Sequence, residues 1–150
     1  MWISFRKTYQ DFRRIVGPDA NGVITPIYEK KLMAVGDWYN RMGGCLECAE
    51  TDDFTYEPRH NKCIATKKNG KTYLHFYDGL FSTAVALKNY PALPKKVRLM
   101  NNGEELPFSI EPLPEFFSGQ TGKAEIPFLH IYEIPTDEFI SEPIVLEIEW

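Results

Sequence analysis

No apolar run in this sequence approaches the roughly 20 residues that a helix needs to cross a bilayer. The opening Met1-Trp2-Ile3-Ser4-Phe5-Arg6-Lys7 has neither the continuous apolar segment nor the small-residue cleavage site of a secretory signal. No leader is expected, and the compartment stays open. Cysteine and histidine are scarce, with three of each. Cys45 and Cys48 have the spacing of half a zinc site, but Cys63, His60, His75 and His130 contain no second close pair. Packed thiols are therefore expected, one disulfide is the other reading, and neither a metal nor another cofactor is called for. Basic residues do not dominate either: 17 Lys and Arg stand against 21 Asp and Glu, a formal net charge of -4. That balance argues against a nucleic-acid partner, whose phosphates attract clustered cations. Ser82 and Ser118 lack the Gly-x-Ser-x-Gly surroundings of a nucleophile elbow, and no glycine-rich phosphate loop occurs.

What is present is the composition of a globular domain, 43% hydrophobic and 25% charged. A chain of 150 residues buries about 70% of its unfolded surface, enough for one core. The stretch Gly17-Pro18-Asp19-Ala20-Asn21-Gly22 is a loop by composition. Thr25 is then a plausible N-cap, Pro26 sits at the first helical position, and Glu29 places negative charge in the first turn. Leu32, Val35, Trp38, Tyr39 and Met42 recur every three or four positions, and Gly43-Gly44 supplies a stop. The spacing predicts a helix over 26–42. Upstream, Trp2, Phe5, Tyr9, Phe12 and Val16 also fall at helical spacing with Arg6, Lys7, Arg13 and Arg14 between them. A short surface helix docked by its aromatic stripe is favoured there over a membrane-binding segment.

After Cys48 the pattern turns to short strands. Cys63 to Lys68 and Lys71 to Tyr77 flank Asn69-Gly70, a strong hairpin signal. Val97 to Met100 and Glu105 to Ile110 flank Asn101-Asn102-Gly103, which reads as a second hairpin. Ala84 to Leu87, Ala124 to Ile131 and Pro143 to Trp150 complete the set, with Pro127 expected to hold its strand at an edge or a bulge. The fold class is mainly β: an antiparallel β-sandwich preceded by one long helix and a short N-terminal one.

The loop and helix, Gly17 to Tyr28 followed by Leu32 and Val35-Gly36-Asp37-Trp38, resemble the end of the catalytic barrel in α-L-fucosidases of glycoside hydrolase family 29. The hairpin Lys68-Asn69-Gly70-Lys71-Thr72-Tyr73-Leu74-His75-Phe76-Tyr77, the segment Val97 to Leu106 and the closing strand Ile144 to Trp150 resemble that family's C-terminal β-sandwich. The resemblance implies two parts: 1–44, the end of a barrel carrying an unmatched segment 1–15, and 45–150, the sandwich. It also implies a parent activity of α-L-fucoside hydrolysis, in enzymes that are often exported. The family's catalytic carboxylates lie upstream on barrel loops that have no counterpart here, and a (β/α)8 barrel takes about 250 residues. The expectation is a C-terminal accessory domain, from a truncated gene, a split subunit or a domain kept for another use, inactive by itself. A stand-alone carbohydrate-binding module and a dimerisation domain are the alternatives.

The residues at hand agree with that expectation. A retaining glycosidase needs two carboxyl groups about 5 Å apart, whereas Asp52-Asp53 and Glu104-Glu105 are sequence neighbours, which point to opposite faces when extended. Solvated charges are expected at both pairs, and turn-making at Asp19 and Asn21. His75, alternating with Tyr73 and Tyr77, reads as packed or solvent-facing and not as a base. For a glycan ligand, Phe116, Phe117 and Tyr132 are the candidate stacking platform, with Tyr56, Tyr77 and Tyr90 behind them. The helix face Leu32, Trp38 and Met42 would need cover from residues 1–16, from a second copy or from a separate barrel subunit. No nucleic-acid or membrane partner is expected.

Overall fold

The computed structural model describes residues 18–52, 63–77, 79–80, 82–88, 90–114 and 125–150. The helix expected within 1–16 lies outside them. The chain divides into two compact units, Met1–Gly44 and Cys45–Trp150.

In the first unit Asp19 organises the loop ahead of the helix. Its Oδ1 accepts from the backbone N–H of Asn21 and of Val23, each at 2.9 Å, so its role is to turn the chain. Helix α1 spans Pro26–Leu46. The Thr25 carbonyl accepts the first helical bonds, from Tyr28 and Glu29. The helix runs past the stop expected at Gly43-Gly44. A helical glycine costs only about 1 kcal/mol, and Gly43 is buried where a Cβ would meet the Tyr39 ring at 3.4 Å. The absent side chain leaves room for that ring. The turn-off comes at Cys48, in the left-handed region at φ 57°.

Among its described residues the second unit is antiparallel β with one short 3-10 helix, Thr136–Phe139. Strands β1 (Glu50–Thr51), β2 (Ile64–Lys68), β3 (Lys71–Phe76), β4 (Val85–Leu87), β5 (Lys96–Leu99), β6 (Phe108–Pro114), β7 (Glu125–Ile131) and β8 (Ile144–Glu149) form two sheets. One has five strands in the order β1-β2-β3-β8-β5, the other three in the order β4-β7-β6. A single core joins them: Leu74, Phe76, Val97, Leu99, Leu146 and Ile148 from the larger sheet meet Val85, Leu87, Leu129 and Ile131 from the smaller. Among the described residues the protein is mainly β, with one α-helix and a sandwich of two sheets.

The Asn69-Gly70 hairpin forms as expected, both residues at positive φ (52° and 75°) as a two-residue turn demands. The Asn101–Gly103 hairpin does not extend. Its return limb makes one bridge, Arg98 with Glu105, flanked by bonds from Leu99 N–H to the Glu104 carbonyl and from Leu106 N–H to the Val97 carbonyl. Past Leu106 the chain crosses to the other sheet as β6, and the Pro107 carbonyl accepts from Tyr132 N–H. Buried Asn101 pins this corner: its Oδ1 accepts from Val145 N–H at 3.0 Å, and its amide donates to Glu142 at 2.7 Å and to the Pro143 carbonyl at 3.0 Å.

Strand β7 is central in its sheet, not the edge strand expected from Pro127. The proline is accommodated because β4 pairs only with Leu129, His130 and Ile131, so among the described residues no strand flanks Pro127 on that side. On the other side it faces Pro112 of edge strand β6, a position where neither residue has an N–H to exchange.

Candidate functional site

The outer faces of the two sheets each carry a polar cluster, built by strand register. On the five-stranded sheet the centre is Glu147, on β8. Tyr73 of β3 and Arg98 of β5 are its direct cross-strand neighbours. The Tyr73 hydroxyl donates to Glu147 Oε2 at 3.0 Å, Lys71 Nζ donates to Oε1 at 3.0 Å, and Arg98 Nε lies 3.9 Å from the same oxygen. Glu147 is buried, with 8% of its side chain exposed. Burial first, and the Glu147 bond next, push the Tyr73 phenol up to about 12. Beside this cluster lies buried His75, whose Nε2 is 2.8 Å from Thr66 Oγ1 while Nδ1 has no partner. The arrangement favours Nε2–H donating to the threonine, since a bare Nδ1 lone pair is cheaper to bury than an unmet N–H. Burial lowers this imidazole to about 4. Both Glu147 oxygens are engaged and the carboxylate is buried.

The outer face of the three-stranded sheet differs. Leu129 and Ile131 point into the core, so Phe128, His130 and Tyr132 share the opposite face. His130 is opposed by Ser109 on β6 and by Ala86 on β4. Glu111, two residues beyond Ser109, reaches both: Ser109 Oγ donates to its Oε1 at 2.6 Å, and His130 Nδ1 lies 3.4 Å from its Oε2. That second separation lacks hydrogen-bond geometry, so the buried Nδ1 remains without a bond. The bond from Ser109, ahead of the nearby imidazole charge, holds the Glu111 carboxyl below its usual range. The His130 and Tyr132 rings lie 5.5 Å apart, tilted by 55°, and the Lys88 ammonium sits 5.1 Å from the centroid of the Phe128 ring. The His130 side chain is 29% exposed and that of Glu111 47%.

Serine, histidine and a carboxylate in one cluster suggest nucleophilic catalysis, but the geometry does not. A triad needs the hydroxyl on the imidazole, with the carboxylate on the far nitrogen. Here the Ser109 hydroxyl is committed to Glu111.

Of the residues expected to hold a glycan, Tyr132 is half-buried on this face, while Phe116 and Phe117 lie outside the described residues. Tyr77 is exposed, Tyr90 packs against the core, and Tyr56 lies outside the described residues. Glu111, Ser109 and His130 were not anticipated as site residues. The available signal was the two-residue spacing of Phe128, His130 and Tyr132. The carboxylate pairs do not form dyads: Glu105 pairs with Lys96, Glu104 accepts from Asn102, Asp52 accepts from Thr72, and Asp53 is outside the described residues. Ser82 Oγ accepts the Ala84 N–H in a turn, and Ser118 is not among the described residues. The three cysteines are free thiols, with no disulfide between them. Burial pushes Cys45 up to about 11 and Cys63 up to about 12, which keeps both protonated and unreactive at neutral pH. Among the described residues no three His, Cys, Asp or Glu side chains gather to hold a metal, and no helix is long and apolar enough to cross a membrane. On α1, Met42 is buried and Leu32 and Trp38 are half-buried, while Ile27, Val35 and Tyr39 are exposed.

Among solved structures, the chain is similar to the Thermotoga maritima α-fucosidase in complex with a mechanism-based inhibitor, with a TM-score of 0.59 and 21% identity over 90% of this chain and 29% of that one. An α-L-fucosidase matches with a TM-score of 0.58 and 20% identity over 90% of this chain and 28% of that one. The Thermotoga enzyme in complex with fucose gives 0.58 and 21%, over 89% and 29%. The chain therefore spans less than a third of the length of these structures and shares the fold of that part. No protein-family model and no curated protein matches the sequence.

Proposed function

We propose that this chain is the helix-and-sandwich accessory part of an α-L-fucosidase-like glycoside hydrolase and breaks no glycosidic bond by itself. The observation that carries the reading is the fold likeness, which takes in 90% of this chain and only 29% of the fucosidase. The loop, helix and sandwich motifs read from the sequence point the same way. The chemistry supports it too. A retaining glycosidase needs a nucleophile and an acid about 5 Å apart across a substrate cleft. Among the described residues, four carboxylates are each held in a structural bond of their own: Glu147 by Tyr73 and Lys71, Glu142 by Asn101, Asp52 by Thr72, and Asp19 by its own loop. The test is turnover of a nitrophenyl α-L-fucoside by the purified chain. Release at the background rate is expected. A turnover number of about 1 per second or more, the enzymatic range, would overturn the reading.

A second role is favoured by the exposed apolar positions on α1, Ile27 at 69%, Val35 at 47% and Tyr39 at 44%. Such a row suits association with a second copy or a separate barrel subunit. Light scattering on the same preparation reads this: a dimer that Val35→Glu returns to monomer supports it, and a wild-type monomer excludes self-association.

A further inference from the structure

The cluster on the outer face of the three-stranded sheet has the layout of a small polar binding site. Its carboxylate is exposed yet fixed. Ser109 holds one Glu111 oxygen and His130 lies beside the other, which leaves most of the roughly four lone-pair positions of a carboxylate pointing outward. An acceptor already fixed in place loses little freedom when a ligand binds. Beside it the tilted rings of His130 and Tyr132 offer an apolar wall. On the other flank of His130 the cross-strand residue is the small side chain of Ala86.

We propose that Glu111, His130 and Tyr132 form a binding subsite for a single pyranose ring, with vicinal hydroxyls donating to Glu111 and the apolar ring face against Tyr132. The residues select against other ligands of similar size. A phosphate or sulfate would face the Glu111 carboxylate. Among the described residues a divalent metal would find only His130 and Glu111, two ligands where a stable site needs three or four. An acyl substrate would find a serine whose proton is held by a carboxylate and not by a base. A polyhydroxylated ring with one apolar face uses both halves of the site at once: an acceptor for its hydroxyls and an aromatic wall for its C–H groups. This proposal rests on the glycosidase-accessory reading only for the choice of α-L-fucoside as the first sugar.

The experiment titrates the full chain with methyl α-L-fucoside and, separately, methyl β-D-galactoside, following the His130 and Tyr132 ring protons by NMR. The expected result is saturable shifts with a dissociation constant on the order of 1 mM. Affinity should fall about tenfold or more in Glu111→Gln and in Tyr132→Ala, and be kept in Tyr132→Phe. Binding of the galactoside alone, abolished by the same variants, would uphold the subsite while counting against the fucosidase reading. The proposal is overturned if neither sugar shifts these resonances, or if a sugar binds with equal affinity to wild type, Glu111→Gln and Tyr132→Ala. Turnover by the wild-type chain would sink the accessory reading without touching the subsite.

Discussion

The two sheets place a titratable residue at the centre of their outer faces, and what surrounds each decides what it does. Glu147 has a long polar neighbour on both flanking strands, Tyr73 and Arg98, with Lys71 on the diagonal. His130 has Ser109 on one side and only Ala86 on the other. The first site has both Glu147 oxygens engaged and is buried; the second is half-satisfied, with an exposed Glu111 carboxylate. A buried polar network that meets all its own bonds holds strands in register and offers nothing to a ligand. Exposed groups with unused bonding capacity offer recognition, and removing them costs the fold little.

The largest expected effect lies on the closed face. His75 is neutral when folded, its imidazole lowered from 6.5 to about 4 by burial. The unfolded chain takes up a proton below its own value while the folded chain does not, so stability is full above about pH 6.5 and falls as pH drops toward about 4. The integrated loss is on the order of 3 kcal/mol. Urea midpoints across that window measure it, and His75→Leu should lack that segment of the curve. An identical pH profile for the two proteins would show that the imidazole is not closed off from protons.

Glu147→Gln is expected to come next, destabilising by about 1–2 kcal/mol. The amide still accepts from the Tyr73 hydroxyl, and Lys71 keeps Glu149 at 3.7 Å. The lost charge is felt by Arg98 and Lys71, which are 37% and 30% exposed and so partly solvated. A denaturant midpoint unchanged by this substitution would mean that the network is held together by shape alone.

Neither cluster was legible in the sequence, although most of the fold was. Asn69-Gly70 announces its hairpin because turn chemistry is local, and the helix announces itself by period and by Thr25-Pro26. Local signals failed where the outcome depends on a remote partner. The Asn101–Gly103 hairpin ends after Leu106, and nothing nearby shows that the chain will then join the other sheet. Pro127 is tolerated in a central strand only because β4 is three residues long. Gly43 does not stop the helix because Tyr39 packs over it. Glu147 alternates with Leu146 and Ile148 as any solvated strand residue would, and only pairing with β3 and β5 reveals it as buried. Glu111 and His130 are separated by a segment, 115–124, from which their pairing cannot be read. Phe116 and Phe117 drew notice as aromatic neighbours in a loop, a compositional signal that carries no geometry.

The smallest expected effect sharpens the contrast most. Glu111→Gln keeps the size of the side chain and an oxygen to accept from Ser109, and the carboxylate it replaces is well exposed. An exposed carboxylate of this kind contributes little to stability, so the melting temperature should barely move. A structural role would give the opposite pattern: a clear loss of stability together with a loss of the Ser109 bond. If Glu111→Gln destabilised the protein as much as Glu147→Gln does, the two faces would be one kind of site, and the openness of the second would have no functional meaning. If it left the melting temperature at the wild-type value, as surface changes usually do, Glu111 would be dispensable to the fold, as expected of a group held in place for a ligand.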